Sequence, residues 1–378
     1  MSYLGSCPWE DDLHYARQVC EQAGVPLEVV PLQTEYYNRV VEYALAELRL
    51  GRTPSPDIFC NQRIKFGAFY NRVGREFDLV VSGHYAHTET SADGLTHLLR
   101  APDPIKDQSY FLSHLSQDQV AKLYFPLGNL QKNQVRELAQ TYNLPNKDRK
   151  DSQGICFLGN IKYSDFVRHY LGEQPGEIRD LTTGKVLGTH KGFWFHTIGQ
   201  RSGLGLGNGP WYVVHKEPKE NVVFVSHQDH LPKYVKREFE ISDLTWITGT
   251  DPTTNLPRGL NPSTLDQLNQ GLTVKLRHGP ELTSAQVRWA DRDGWNNDEG
   301  SHPTEQGTTN QVLATNETLT SQESGFTNQY QTSSKQPTLV VTLEEPDQGV
   351  APGQFTVLYR GRECIGSGKI LEFWDRIG

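Results

Sequence analysis

The sequence predicts an α/β N-terminal domain built on a mostly parallel sheet, then a small mainly-β central domain, then a C-terminal β-barrel. Three observations carry that expectation. Before residue 160, amphipathic helical patterns alternate with short apolar runs, the rhythm of βαβ units. From Gln174, strand-like alternation and turns such as Thr183-Gly184 replace the long helices. From about Lys236 short strands recur at even spacing, as in a small barrel. The boundaries are expected at 1–160, 161–235 and 236–378, since 378 residues suffice for two or three cores.

In order, residues 10–24 place Leu13, Ala16, Cys20 and Ala23 on one helical face, which makes Cys20 a small core residue. Val25 to Leu32 reads as a short buried strand. Thr34 to Leu50 reads as a helix with Tyr37, Val40, Val41, Ala44 and Leu48 inward, ended by Gly51. Phe77 to Val81 is a strand leading into Ser82-Gly83-His84-Tyr85, and ligands of parallel sheets bind beyond such carboxyl ends. Gly83 fits either close ligand approach or an ordinary turn. A strand at Leu95 to Leu99 precedes Lys106, Asp107 and Gln108, read as a solvated cap or a functional cluster before the helical pattern of Tyr110 to Leu115. Helix Asn133 to Tyr142 should bury Val135, Leu138, Ala139 and Tyr142. Lys191 to His196 reads as an aromatic-rich strand. Barrel strands are expected at 272–277, 285–289, 337–343, 354–359 and 363–370.

Composition sets limits. No run approaches the ~18 apolar residues that a membrane span needs, and Met1 to Asp12 has no signal-peptide character, so a cytoplasmic protein with no membrane partner is expected. The cysteines at 7, 20, 60, 156 and 364 form no C-x-x-C pair, so neither a disulfide framework nor a tightly bound metal is expected. Half of the net charge of −8 comes from the stretch 298–335, leaving basic clusters such as Lys147, Arg149 and Lys150 free to meet phosphates. The polar tract 295–336 interrupts the barrel as an insertion too poor in apolar residues to order itself. Gly203 to Gly209 leads into an apolar strand rather than a helix, so it is a β-loop and not a phosphate loop at a helix start.

The stretch Gly51 to Phe66 concentrates the chemistry. Pro54 and Pro56 end the preceding helix and stiffen a connector that holds Asp57 three residues ahead of Cys60. A carboxylate and a thiol near a helix start fit two readings: a proline-rich turn with a buried cysteine, or a site that holds a thiolate. A second thiol, Cys156, ends the basic, polar connector from Asn146 to Phe157.

Three motifs in this order resemble the bacterial tRNA-specific 2-thiouridylase family: Gly51-Arg52-Thr53-Pro54-x-Pro56-Asp57-x-x-Cys60-Asn61, Ser82-Gly83-His84-Tyr85, and Asp151-Ser152-Gln153-Gly154-Ile155-Cys156-Phe157. Lys106 to Leu112, Phe125 to Gly128, His196 to Arg201 and Ala351 to Gln354 match as well, so the likeness spans nearly the whole chain except 295–336. The resemblance implies an adenine-nucleotide alpha-hydrolase-like N-terminal domain, a central tRNA-binding domain and a barrel. It implies ATP-dependent replacement of the C2 oxygen of a wobble uridine by sulfur, with ATP and Mg2+ as cofactors. Its implied partners are tRNA and a persulfide donor protein. Cys156 would carry the persulfide, Cys60 would be the partner nucleophile, and the two would form a transient disulfide. Asp57 would be an acid or base at the target base, flanked by Ser55 and Pro56. Gly83 would line the adenylate pocket. His84, Lys106, Asp107, Gln108, Arg277, His278 and Gln354 would touch tRNA.

The likeness also implies a departure. Family members open with a strand and a Ser-Gly-Gly-x-Asp-Ser loop that grips pyrophosphate, whereas Ser2 to Trp9 corresponds to a region beyond it. The parallel sheet is therefore expected to be incomplete. Two alternatives accompany the enzyme reading: a truncated, catalytically idle tRNA-binding remnant, and a persulfide sulfur carrier.

Overall fold

The computed structural model describes residues 9–149, 162–251, 256–258, 265–290 and 337–371. Helix α1 (Trp9–Ala23) is followed by an extended segment and by α2, residues 33–49, whose turns at Tyr37–Val41 are π-helical. Gly51 stops α2 at φ +77°, a conformation that a side chain opposes. The connector then enters α3, residues 56–72, with Pro56 in its first turn, where a missing N–H costs nothing. Strand β1 (Val80–Val81) precedes the hairpin β2 (Ala86–Thr90) and β3 (Thr96–Arg100). Short helices α4 (Ser109–Leu112) and α5 (Gln117–Val120) lead to β4 (Leu123–Tyr124), which pairs parallel with β1. Helix α6 (Lys132–Thr141) ends the N-terminal part.

Helix α7 (Tyr163–Leu171) opens the central part, a sheet of β5 (Gly176–Asp180), β6 (Val186–His190), β7 (Trp211–Glu217) and β8 (Val222–His227) in the order β6-β5-β8-β7. The last part comprises β9 (Lys236–Trp246), α8 (Leu265–Asn269), β10 (Leu272–Lys275), β11 (Thr283–Trp289), β12 (Leu339–Asp347), β13 (Phe355–Arg360) and β14 (Glu363–Ile370). These strands pair in the order β13-β10-β11-β12-β9-β14, and β13 pairs with β14 to close a six-stranded barrel. The barrel interior is filled by residues such as Phe239, Ile241, Trp246, Val287 and Leu358. A second core runs continuously from α2 and α3 through the central sheet to Phe355, Val357 and Tyr359 on the outside of the barrel.

Several elements depart from the sequence reading. Val25 to Leu32 is not a strand: Val25, Leu27 and Val29 are exposed and no described strand pairs with them. Apolar alternation makes a strand only where a neighbour completes the ladder, and Pro26 and Pro31 each withhold a donor. Lys191 to His196 forms a 3-10 turn at Phe193–Phe195 after Gly192, with Phe193 and Trp194 buried. Helix α6 buries none of its residues, and Leu138 and Tyr142 are exposed; Cys20 on α1 is half-buried rather than core. Polar links join this region instead: Gln22 Nε2 donates to the Tyr142 carbonyl at 2.9 Å, and Arg149 pairs with Asp12. The β2–β3 hairpin is not confined to the N-terminal domain. It extends the barrel sheet through β14, with Leu98 opposite Cys364. Cys7, Cys156 and the 295–336 insertion lie outside the described residues.

Candidate active site

The connector from Gly51 to Ser55 lies where all three parts of the fold meet. The Thr53 amide donates to the Pro352 carbonyl of the barrel at 2.8 Å, and its hydroxyl donates to Thr197 Oγ1 of the central part at 3.4 Å. Beneath it, buried Glu47 sets its carboxylate between Arg52 at 3.8 Å and Lys369 of the barrel at 3.6 Å. Its Oε2 has no hydrogen-bond partner. A charged residue within the otherwise apolar face of α2 was the sequence signal for this position.

From there the chain turns into α3. Asp57 is half-buried in the first turn, and the Cys60 amide donates to the Pro56 and Asp57 carbonyls. Cys60 begins the π-helical section Cys60–Ala68 and is 0% exposed, surrounded by the core. It therefore sits in the second turn, beyond the first-turn amides at which a helix dipole acts most strongly. The thiol at a helix start expected from sequence is thus a thiol inside the helix. Wide turns leave carbonyls for side chains to satisfy. Gln119 Nε2 donates to the Gln62 carbonyl at 2.8 Å and to the Phe66 carbonyl at 2.9 Å. Next to Cys60, Asn61 Nδ2 donates to the Asp57 carbonyl at 3.0 Å and the Phe111 carbonyl at 3.2 Å. Its Oδ1 is buried without a partner, a polar atom that sequence reasoning passed over.

The far end of the π section reaches the Gly83-His84 turn. The Phe66 ring lies 5.9 Å from the His84 ring, which also packs edge-on against Phe125 at 6.0 Å. Ser82 Oγ is hydrogen-bonded to His84 Nδ1 at 2.8 Å. Burial, helped by the nearby Lys65 charge, pushes the imidazole down to about 3, so it is neutral at pH 7. Gly83 follows the carboxyl end of β1; its φ is not positive, and a Cβ there would meet only Leu127 Cδ1 at 3.9 Å. None of the described residues requires glycine at that place. Its backbone is open beyond the carboxyl end of a parallel strand, the place where ligands of such sheets bind, and no phosphate-gripping loop stands among the described residues.

The barrel contributes a second wall. His278 stacks on Phe111 with ring centroids 4.6 Å apart, and burial pulls its imidazole below its usual range against weaker opposing effects of Asp107 and Asp57. Asp57 and His278 therefore sense each other across the junction. Arg277 forks onto Asp347 through two bonds of 2.9 and 2.8 Å. Burial opposes the Asp347 charge, but Arg277 and the Gly349 amide outweigh it and hold the carboxyl below the usual range. Gln354 is half-buried beside the connector's Pro352 contact. Ser55, Pro56 and Lys106 are half-buried too.

Asp107 requires a correction. Expected as a solvated cap or a tRNA contact, it is fully buried and accepts from Lys275 Nζ at 2.9 Å, Arg100 Nε at 3.2 Å, and the Ser109 and Ala101 amides at 3.2 and 3.3 Å. The carboxylate has no surface left for RNA. Its neighbour Gln108 exchanges two bonds with the Tyr85 backbone, both of 2.9 Å. The structure thus brings together Ser55, Pro56, Asp57, Cys60, His278 and Gln354 at the junction, with Gly83 and His84 at the other end of the π section. Cys156 lies outside the described residues, so its distance to Cys60 is not part of this geometry. Among the described residues no cluster of three His, Cys, Asp or Glu side chains is placed to hold a metal, and no helix is long and apolar enough to cross a membrane.

Three family profiles match the chain: a "tRNA methyl transferase HUP domain" over residues 1–160, a "tRNA methyl transferase PRC-barrel domain" over 164–227 and an "Aminomethyltransferase beta-barrel domain" over 324–370. Among full-length relatives, the tRNA-specific 2-thiouridylase MnmA 2 of Bacteroides fragilis is 40% identical over 366 residues, covering 96% of this chain and 88% of the relative. MnmA 1 of Bacteroides thetaiotaomicron is 40% identical over 96% of this chain and 87% of its own length. The MnmA of Porphyromonas gingivalis is 39% identical over 97% and 87%.

Proposed function

The chain belongs to the tRNA-specific 2-thiouridylase family, and from that membership we propose that it is a tRNA-uridine 2-sulfurtransferase acting on the wobble uridine in the cytoplasm. The supporting observation is likeness across nearly the full length of relatives named for thiolation. The profile descriptions speak of methyl transfer, which gives the Cys60 and Cys156 motifs no role; sulfur transfer needs two thiols.

In this reading ATP, with Mg2+ and with Gly83 at its flank, supplies the adenylate leaving group that the C2 oxygen lacks. Asp57, at the mouth of the junction, sits at the target base and manages its proton, with Ser55 and Pro56 shaping the contact. Cys156 accepts a sulfane sulfur from a persulfide donor protein. That outer sulfur bonds to C2 and AMP departs with the oxygen. Cys60 then attacks Cys156 Sγ, breaking the S–S bond, so two thiols are oxidised to a disulfide as the sulfane sulfur is reduced to the thiocarbonyl. Cys60 itself is fully buried. His84, Lys106, Gln108, Arg277, His278 and Gln354 remain as RNA contacts on the two walls. An extruded wobble base suits this narrow three-part junction, since anticodon-loop bases are unpaired.

The test is direct. The full chain is incubated with ATP, a persulfide donor and tRNA, and nucleosides are examined by mass spectrometry for 2-thiouridine. No product with retained, salt-sensitive tRNA binding would overturn the enzyme reading in favour of a tRNA-binding remnant. Persulfide loading without RNA binding would point instead to a sulfur carrier.

A further inference from the structure

We propose that the glycine-rich loop of the central part, with Arg201 and Trp211, is a cradle for one nucleotide of the substrate RNA outside the target base. The proposal rests on the tRNA reading above and adds a site to it. The loop borders an open pocket of about 410 Å³ lined by Arg201, Gly203, Gly205, Gly209, Pro210 and Trp211, among others. Left-handed residues at Gly203, Gly205 and Asn208 turn the chain repeatedly. Among the described residues, no backbone N–H from Gly203 to Gly209 donates to a backbone acceptor, and the glycine amides of this loop lie on exposed residues where a ligand can replace water. Arg201 is exposed and makes no ion pair among the described residues. The indole N–H of Trp211 is committed to the Gly207 carbonyl at 2.9 Å and the His227 ring packs edge-on at 5.2 Å, which fixes the indole plane in the wall.

Gly207 carries the argument furthest. Its φ is not positive, and among the described residues nothing lies within 4 Å of where its Cβ would be. The described residues place no demand for glycine there; an approaching ligand backbone would. The chemistry on offer is amide donors and one guanidinium for a phosphate, with an aromatic face for a base. A nucleoside triphosphate would need more cationic charge than the single arginine in this lining. The loop is also tied to the site: Gln200 Oε1 accepts from the Thr197 amide at 3.0 Å, and Thr197 meets Thr53 of the connector. Those contacts link the cradle to the connector that precedes Asp57.

The experiment measures Kd of an in vitro transcribed, unmodified tRNA for the full chain and its variants at several salt concentrations, with ATP binding measured in parallel. Arg201→Ala should weaken tRNA binding about tenfold and lower the slope of log Kd against log salt by about one. Trp211→Ala should cost about tenfold, and Trp211→Phe should restore stacking. Gly207→Asp, at an open position, should keep the wild-type melting temperature yet lose at least about tenfold in tRNA affinity. If the Arg201 and Trp211 variants misfold, Gly207→Asp decides alone. Wild-type tRNA affinity and salt slope in folded Gly207→Asp would overturn the proposal, as would loss of ATP affinity with tRNA binding intact. Binding is read without turnover. A chain that makes no 2-thiouridine, while these variants still lose tRNA affinity, would sink the thiolation reading and leave the cradle standing.

Discussion

Replacing Asp107 tests whether a residue in an RNA-binding motif acts through structure. Its carboxylate and the Lys275 ammonium are both 0% exposed and 2.9 Å apart, joining the segment before α4 to β10 of the barrel. In Asp107→Ala the lysine charge stays buried without its carboxylate, a loss of about 3–5 kcal/mol. Arg100, at 15% side-chain exposure, can regain water when it loses the same partner; Lys275 cannot. In Lys275→Met the remaining Arg100 still neutralises Asp107, so the loss should be smaller, about 1–3 kcal/mol. The double variant buries neither charge, and its cost should fall short of the sum of the singles by about 2 kcal/mol or more. Urea unfolding followed by tryptophan fluorescence measures all four proteins. At matched folded fraction, Asp107→Ala should keep the wild-type salt dependence of tRNA binding, since no phosphate contact is removed. Wild-type stability with selectively weakened tRNA binding would refute the structural role, and so would additive single costs.

Other outcomes follow from the same geometry. Gln119→Ala strips the π section of its bonds to the Gln62 and Phe66 carbonyls and should cost about 2 kcal/mol, with faster amide exchange across residues 60–68. Gly83→Ala should leave the melting temperature unchanged, since the nearest atom to its Cβ lies at 3.9 Å, but should raise KM for ATP; an unchanged KM would remove Gly83 from the adenylate site. Cys156→Ser should abolish persulfide loading while tRNA binding survives, and normal loading seen by mass spectrometry would end the assignment. Burial pushes the His114 imidazole down to about 4, despite the Asp243 charge. A histidine held below its unfolded pKa lends stability above that value and loses it as pH falls toward the folded one. The window is pH 6.5 to 4, and the slope is about 1.4 kcal/mol per unit, or about 2 kcal/mol lost by pH 5. His114→Gln should flatten that slope in urea titrations, even though it gives up bonds to Ser367 and Thr245.

The sequence by itself determined the order of parts, the position of α2 and its glycine stop, the barrel strands and the Asp57–Cys60 helix. Those features follow from local rules: periodicity, proline and glycine backbone limits, and even strand spacing. The thiolation motifs were legible for the same reason, being short runs of residues whose types serve one chemistry. Tertiary contacts decided the rest. Val25 to Leu32 has the composition of a strand, but a ladder needs a partner that no local pattern supplies. The β2–β3 hairpin reads as part of the first domain, yet its free edge is satisfied by β14, more than 260 residues away. Asp107 looked solvent-facing because its neighbours in sequence are polar; Lys275, 168 residues on, takes it inside. Cys60 looked like a thiol at a helix start, and packing of α3 against two other parts of the fold closed over it. In each case a charge, a thiol or a strand edge is settled by what covers it, and coverage comes from residues distant in the chain.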